Sequence, residues 1–102
     1  MPEYKLLINP FAEIDLIEAK EWYDLQKENL GSEFIQEIRN TIRKISENPF
    51  QFPVIKFKIR KALILKFPYF VFFYIDDKII NIFAIFHTHR NPIVWKKRFK
   101  NT

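Results

Sequence analysis

The sequence predicts an α+β fold, in which an N-terminal strand and an antiparallel helical hairpin pack on a small, largely antiparallel sheet in the order β-α-α-β-β-β. A short C-terminal helix or tail follows. Residues 69–75 and 79–86 are rich in aromatic and β-branched residues and are separated by Asp76 and Asp77, which is typical of a hairpin. Both faces of this hairpin are apolar, so we expect it to be central in the sheet.

The first helix is predicted to span residues 10–29, after a strand at residues 3–8. Asn9 offers an N-cap side chain, and Pro10 suits the first helical position. We expect its roughly aligned apolar side chains to enter the core and its glutamates to face water. The apolar set is Phe11, Ile14, Ile17, Trp22 and Leu25, and the acidic set is Glu13, Glu18, Glu21 and Glu28. The adjacent Trp22 and Tyr23 fit a recognition pair or, more commonly, a core position.

The second helix is predicted over residues 33–47. Gly31, the single glycine of the chain, suits a left-handed helix terminus, and Ser32 suits a new N-cap. Apolar residues recur every three or four positions, and Asn48-Pro49 ends the pattern. The expected core residues of this helix are Phe34, Ile35, Ile38, Ile42 and Ile45.

Residues 55–67 alternate with period two, which predicts one strand with an apolar face and a basic face. The expected apolar face holds Ile55, Phe57, Ile59, Leu63, Leu65 and Phe67. The expected basic face holds Lys56, Lys58, Arg60 and Lys66, with Ala62 and Ile64 between. These cations fit either a functional wall or charges that protect an edge strand from aggregation. Residues 91–102 are predicted to form a short helix or an ordered tail pinned by Trp95.

The composition indicates one domain, residues 1–102, in a reducing compartment. There is no cysteine, no signal-like N-terminus and no apolar run approaching the ~20 residues of a membrane helix, so we expect a cytoplasmic protein without a membrane partner. The net charge of +5 combines −4 in residues 1–50 with +9 in residues 51–102. The cationic half suits a polyanionic partner, although a solvated surface would carry the same charge. The 48% hydrophobic content, with twelve phenylalanines, suggests a patch that a partner covers.

The residues that could carry chemistry follow the last strand. His87 and His89 lack a neighbouring carboxylate, and one glycine cannot build a phosphate loop, so we expect no metal and no cofactor. Histidine with fixed positive charge suits metal-independent RNA cleavage, which needs an acid, a base and cations on the phosphate. In that reading His87 is acid or base, and Arg60, Arg90 and Lys66 hold the phosphate. Tyr69 or Tyr74 would stack a base or donate a proton.

Short markers follow one another along the whole chain, in step with the order of the predicted elements. The markers are Asp15-Leu16, Trp22-Tyr23, Leu30-Gly31 with Phe34, Asn48-Pro49, Arg60, Phe67-Pro68-Tyr69, Tyr74, and Ala84, His87, Arg90 and Pro92. With these markers in this order and spacing, the whole chain resembles the RelE/ParE superfamily of bacterial type II toxins.

The resemblance implies a growth-inhibiting toxin, of the kind linked to plasmid stabilisation, that a cognate acidic antitoxin holds silent in a hetero-oligomer. RelE-like members resemble ribosome-dependent mRNA endonucleases, whereas ParE-like members poison DNA gyrase. The Phe-Pro-Tyr and His-x-x-Arg-x-Pro markers favour the ParE-like branch slightly. If the protein were a nuclease, its catalytic residues would be His87, Arg90, Arg60, Lys66 and Tyr74. The expected target- or antitoxin-binding surface comprises Lys56, Lys58, Arg60, Lys66, Tyr69, His89, Arg90 and Trp95.

Three hypotheses therefore stay open: a toxin that binds gyrase, an mRNA-cleaving enzyme that acts on the ribosome, and a non-toxic member that retains antitoxin binding alone. Whether the protein is an enzyme is undecided at this level.

Overall fold

The computed structural model describes residues 4–101, so the predicted strand at residues 3–8 begins outside the described part. The elements are β1 (Lys5–Ile8), α1 (Pro10–Gln26), α2 (Leu30–Glu47), a 3₁₀ turn (Pro49–Gln51), β2 (Val54–Lys56), β3 (Ile59–Leu63), β4 (Tyr69–Asp76), β5 (Ile79–His87) and α3 (Pro92–Lys100). The sheet has the order β1-β5-β4-β3-β2, and only β1 runs parallel to its neighbour. The predicted α+β class and the central position of the β4–β5 hairpin are confirmed.

Two clusters of buried side chains cover the two faces of the sheet. The helical hairpin of α1 and α2 packs on one face, which we call the hairpin face, over Val71, Phe73 and Ile82. Helix α3 packs on the other, the α3 face, where Trp95 stacks on Phe72 with ring centroids 5.2 Å apart. The predicted anchoring of the C-terminal segment by Trp95 is confirmed.

Strand β5 contains a bulge that changes which way its side chains point. Phe72 pairs with Ala84 and Phe73 pairs with Ile82, so Phe83 is an extra residue on β5. Phe83 and Ala84 both belong to the cluster on the α3 face. Beyond the bulge, odd-numbered residues of β5 therefore lie on the hairpin face, beginning with Ile85.

The first helix exposes the side chains that its periodicity assigned to the core. Phe11, Ile14, Ile17, Trp22 and Leu25 are all exposed, so that prediction is wrong. Instead, the buried residues of α1 are Ala12, Asp15, Ala19 and Tyr23. Small side chains allow α1 to approach both β5 and α2, and larger ones would hold it away. The helix also ends earlier than predicted, at Gln26.

Gly31 serves close packing between helices rather than a left-handed turn. The left-handed residue at this joint is Asn29 (φ 67°), and α2 begins at Leu30, so the predicted terminus at Gly31 and N-cap at Ser32 are wrong. A Cβ atom at Gly31 would lie 2.4 Å from the carbonyl oxygen of Lys20 and 2.6 Å from Cγ of Asp24. The Gly31 N–H donates to Oδ1 of Asp24 at 2.8 Å. The pKa of Asp24 is lowered mainly by the hydrogen bond from Lys20 and further by the one from Gly31.

The predicted core of α2 is confirmed. Phe34, Ile38 and Ile45 are buried, and Ile35 and Ile42 pack against them.

The predicted strand at residues 55–67 is two strands, β2 and β3, joined by a turn in which Phe57 is left-handed (φ 53°). The expected apolar face is wrong in part, because Phe57, Leu63 and Leu65 are exposed whereas Ala62 and Ile64 are buried. The helical hairpin covers the sheet face on which Ala62 lies. On the α3 face, helix α3 covers Ile59 but leaves Leu63 in solvent.

A buried carboxylate ties β5 to both α1 and α3. Oδ2 of Asp15 accepts a hydrogen bond from the backbone N–H of Ile85 at 3.0 Å. The guanidinium of Arg98 binds both oxygens of Asp15 and also donates to the carbonyl of Phe83 at 3.2 Å. It lies 4.6 Å from the ring centroid of Phe86. One side chain on α1 thus satisfies a strand N–H and holds α3 in place.

Gly31→Ala is expected to lower the free energy of unfolding by about 1–3 kcal/mol, since the added methyl group meets backbone at less than van der Waals distance. Urea denaturation measures the change. Ser32→Ala, one position along the same helix and exposed, is the control and should change the value by less than about 0.5 kcal/mol. Equal stability of the two variants would contradict the close approach of α1 and α2.

Asp15→Ala is expected to cost about 3–5 kcal/mol, because it leaves the Arg98 charge and the Ile85 N–H without a partner in a buried site. Asp15→Asn should cost less, since an amide oxygen can still accept from Ile85. Thermal or urea unfolding measures both, with the exposed neighbour Glu18→Ala as the control. An Asp15→Ala variant as stable as the control would show that the carboxylate does not hold the three elements together.

Candidate interaction site at the exit of the central hairpin

The candidate site lies where β4 begins and β5 ends. Tyr69 pairs with His87 in the register of the hairpin, and their rings lie 5.4 Å apart. Backbone hydrogen bonds from Thr88 to Pro68 (2.8 Å) and from Arg90 to His87 (3.0 Å) fold the chain back after the strand. The geometry places a histidine, a tyrosine and an arginine together, as the sequence markers suggested for His87 and Arg90.

A cavity of about 220 Å³ opens between this strand exit and α1. Tyr69, His87 and Arg90 line it from the sheet, and Glu18 and Trp22 line it from the helix. A second cavity of about 380 Å³ shares Trp22, Tyr69 and His87 and extends to Tyr23 and Pro68. Because three residues line both cavities, together they form an aromatic groove with one cation, Arg90, and two carboxylates, Asp15 and Glu18.

His87 has a defined hydrogen-bonding state. Its Nδ1 accepts a hydrogen bond from the backbone N–H of His89 at 3.0 Å, so a neutral His87 carries its proton on Nε2. The two imidazole rings meet edge to face with centroids 5.3 Å apart. Within residues 4–101, no group of three or more His, Cys, Asp or Glu side chains could hold a metal ion.

Arg90 lies between the groove and a further cavity on the α3 face. Its guanidinium stacks on Phe86 at 3.9 Å from the ring centroid. The further cavity has about 170 Å³ and is lined by Arg90 together with Lys61, Phe70 and Trp95. The ammonium group of Lys61 lies 4.3 Å from the ring centroid of Phe70. Both cations lie over aromatic rings, which keeps them fixed and available to an anion.

Tyr69 is held in its protonated form. Burial raises its pKa above the ordinary value of about 10, whereas the nearby Arg90 cation acts in the opposite direction and Asp15 raises it slightly more. At neutral pH the Tyr69 hydroxyl is therefore a hydrogen-bond donor and not a base.

The other residues that the sequence suggested for catalysis lie elsewhere. Arg60 donates to the carbonyl of Phe52 and stacks on Phe50 at 5.1 Å. Tyr74 lies on the α3 face against Phe83 and Phe99. Lys66 is exposed in the β3–β4 connection with a left-handed backbone.

The residues expected to form a binding surface are also divided. Lys56 and Lys58 are exposed beside the β2–β3 turn, and Lys58 lies 5.0 Å from the Tyr74 ring centroid. His89 is exposed next to the groove. Trp95 is 7% exposed, so it supports the sheet beneath α3 and offers little contact area.

Sequence reasoning missed the contribution of α1 to this site. Trp22 and Glu18 line the groove, although Trp22 was expected in the core and Glu18 was expected only to face water. The adjacent aromatic residues Trp22 and Tyr23 were the sequence signal for this contribution, since one of them faces the groove and the other is buried. Nothing in the local sequence indicates which of the two does so.

The architecture, a helical hairpin packed on a mostly antiparallel sheet, is the one that the resemblance to the RelE/ParE superfamily of type II toxins implies. Residues 6–92 match the sequence profile described as "ParE toxin of type II toxin-antitoxin system, parDE". That span is most of the chain, and the chain belongs to this family of ParE toxins.

A solved structure shares the architecture. It is titled "Chromosomal ParDE TA system from P. aeruginosa" and matches with a TM-score of 0.76 and 18% sequence identity. The match covers 85% of this chain and 98% of the other. At that identity the likeness establishes the fold alone. The search of curated proteins found no match.

Among residues 4–101, no helix is long and apolar enough to cross a membrane.

Arg90→Gln is expected to raise the pKa of Tyr69 further, because the substitution removes the cation that partly offsets the effect of burial. Absorbance at 295 nm against pH measures ionisation of the tyrosines, and subtracting the Tyr69→Phe titration isolates Tyr69. Arg60→Gln is the matched control, since Arg60 contacts Phe50 and Phe52 instead. An unchanged or lowered Tyr69 pKa in Arg90→Gln would contradict the arrangement of the site.

Proposed function

We propose that this chain is the growth-inhibiting toxin of a type II toxin-antitoxin module, that it acts in the cytoplasm by binding DNA gyrase, and that a cognate acidic antitoxin neutralises it. Membership of the ParE family supports the toxin assignment. The gyrase assignment follows from the resemblance to the ParE-like branch of the superfamily.

The separation of the candidate catalytic groups is the observation that favours binding over RNA cleavage. His87 lies on the hairpin face beside Tyr69, whereas Tyr74 lies on the α3 face. Tyr69 and Tyr74 are also five positions apart on β4, which is about 16 Å along a strand. Arg60 is committed to the carbonyl of Phe52. A phosphodiester cannot contact all of these groups at once.

A second candidate function, RelE-like mRNA cleavage on the ribosome, keeps support from one observation. His87, Arg90 and the protonated Tyr69 line the same cavity. They supply an acid or base, a fixed cation and a hydroxyl donor, which would suffice for a smaller catalytic set.

The antitoxin is expected to bind the cationic side of the molecule. Lys56, Lys58 and Lys61 lie along β2 and β3, and Arg90 lies at the groove. Exposed apolar side chains, Leu63 (59%) and Leu65 (62%), lie among these cations. An acidic segment with apolar anchors would complement this surface in charge and polarity, and the toxin and antitoxin would form a hetero-oligomer.

The purified protein is expected to inhibit supercoiling by DNA gyrase and to leave ribosome-bound mRNA intact. Single substitutions His87→Ala and Arg90→Ala should each weaken inhibition less than about tenfold, since most residues of a binding surface cost less than about 1 kcal/mol when truncated to alanine. Loss of a general acid or base would instead lower cleavage by about 10²–10⁴-fold. Lys78→Ala, exposed in the turn at the opposite end of the hairpin, is the control.

The outcomes separate the candidates. Intact gyrase activity with mRNA cleavage that His87→Ala abolishes would overturn the gyrase proposal in favour of the enzyme. A folded protein that affects neither process, and whose expression alone does not slow bacterial growth, would overturn the toxin assignment and leave a non-toxic family member.

A further inference from the structure

The outward side of α1 carries a row of apolar side chains that remain largely exposed in the described structure, although the Arg98 guanidinium lies 5.7 Å from the ring centroid of Phe11. We call it the α1 outer face, and its apolar members are Phe11, Ile14, Ile17, Trp22 and Leu25. Their exposed fractions run from 49% for Ile14 to 84% for Leu25. From Phe11 to Leu25 the row is about 21 Å long at 1.5 Å per residue, the length of a four-turn helix. Contiguous apolar exposure of this extent indicates a protein contact surface.

The α1 outer face is also acidic, although the whole chain carries +5. Glu18 and Glu21 lie between the apolar side chains, and both are exposed. Within residues 4–101, neither of them has a cation at ion-pair distance. Among the nearby cations, Lys20 pairs with Asp24 and Arg98 pairs with Asp15. Arg90 lines the same cavity as Glu18, but its guanidinium stacks on Phe86.

We infer that the α1 outer face docks an amphipathic helix of a protein partner whose apolar stripe is flanked by Lys or Arg. The charge of this face favours a partner with basic residues. An acidic segment would instead place its carboxylates beside Glu18 and Glu21, and the two sets of negative charges would repel each other. The cationic surface of β2 and β3 has the opposite preference. The protein thus presents two docking surfaces of opposite sign, which meet at the groove that Glu18 and Trp22 line together with Arg90. The inference does not depend on which target the toxin inhibits.

Two synthetic peptides test the inference on the full-length protein. Each is an amphipathic helix of about 18 residues with the same leucine stripe, flanked by lysine in one and by glutamate in the other. The indole N–H signals of Trp22 and Trp95 in ¹⁵N NMR report the location, because Trp22 is exposed and Trp95 is buried on the α3 face. The lysine peptide should shift the Trp22 signal, leave the Trp95 signal in place, and bind more weakly as salt is raised.

Matched variants locate the binding energy. Ile14→Ser/Leu25→Ser should weaken the lysine peptide at least tenfold, whereas Leu63→Ser/Leu65→Ser, with comparably exposed side chains on the sheet side, should leave its affinity unchanged. Glu18→Lys/Glu21→Lys should reverse the preference, so that the glutamate peptide now shifts Trp22. Circular dichroism should show an unchanged fold in each case, because every substituted side chain is exposed.

Three results would overturn the inference. The first is a lysine peptide that fails to bind or that shifts only Trp95. The second is a glutamate peptide that shifts Trp22 in the unsubstituted protein, which would place an acidic partner on this face. The third is self-association in sedimentation that Ile14→Ser/Leu25→Ser abolishes, which would make a second copy of the chain the occupant.

Discussion

The carboxylate of Asp15 is the contact on which the site-bearing end of the sheet depends. Strand β1 pairs with β5 only as far as Ile82, and the last bond on that side joins the Asn9 N–H to the Ile82 carbonyl. Beyond this point β5 continues to His87 with no neighbouring strand on that side. Asp15 accepts the next free N–H, that of Ile85, and therefore replaces the missing strand with a side chain. Because Arg98 neutralises it, the charge is tolerated in a buried position.

The same arrangement explains how the groove is built. Beyond Asp15, the next turns of α1 face the exit of β5, and the cavity lined by Glu18, Trp22 and His87 opens between the helix and the strand. Packing of α1 on the sheet through Ala12 and Ala19 keeps that space narrow. The groove and the outward position of the larger apolar residues of α1 therefore have one structural origin. Helix α1 packs on the rest of the fold through its small side chains.

The sequence predicted the elements that bury their apolar residues in the usual way. Helix α2 and the β4–β5 hairpin have strong periodicity, and their cores follow from it. The predicted core face of α1 was wrong because the larger apolar residues of this helix face outward, and its buried face is made of alanines, an aspartate and a tyrosine. Periodicity identifies an apolar stripe on a helix but not the element that covers it. On α1 the rest of the described chain leaves that stripe largely exposed.

The candidate site was predictable only where it is local in sequence. His87 and Arg90 were found together because three positions separate them after one strand. The register of Tyr69 opposite His87 was not predictable, because a regular hairpin with this turn would pair Tyr69 with Phe86 and the bulge at Phe83 shifts the pairing by one residue. The position of Arg60 depended on a turn at Phe57 that no glycine or asparagine indicated. Trp22 reaches the groove from sequence positions far away, through helix placement that Gly31 and Asp15 set by tertiary contacts.

The bulge at Phe83 has a consequence for how such a domain can diverge. Ile82 and Ile85 lie on the same face of the sheet although their numbers differ in parity, because one inserted residue shifts the phase of the strand. Removing that residue would restore regular alternation and leave His87 opposite Tyr69 on the hairpin face, because the pairs Phe72–Ala84 and Phe73–Ile82 would then follow one another directly. A bulge at this position therefore absorbs a one-residue difference in the length of β5 without moving the side chains of the groove. Related chains can gain or lose that residue and keep the same polar cluster on the same face.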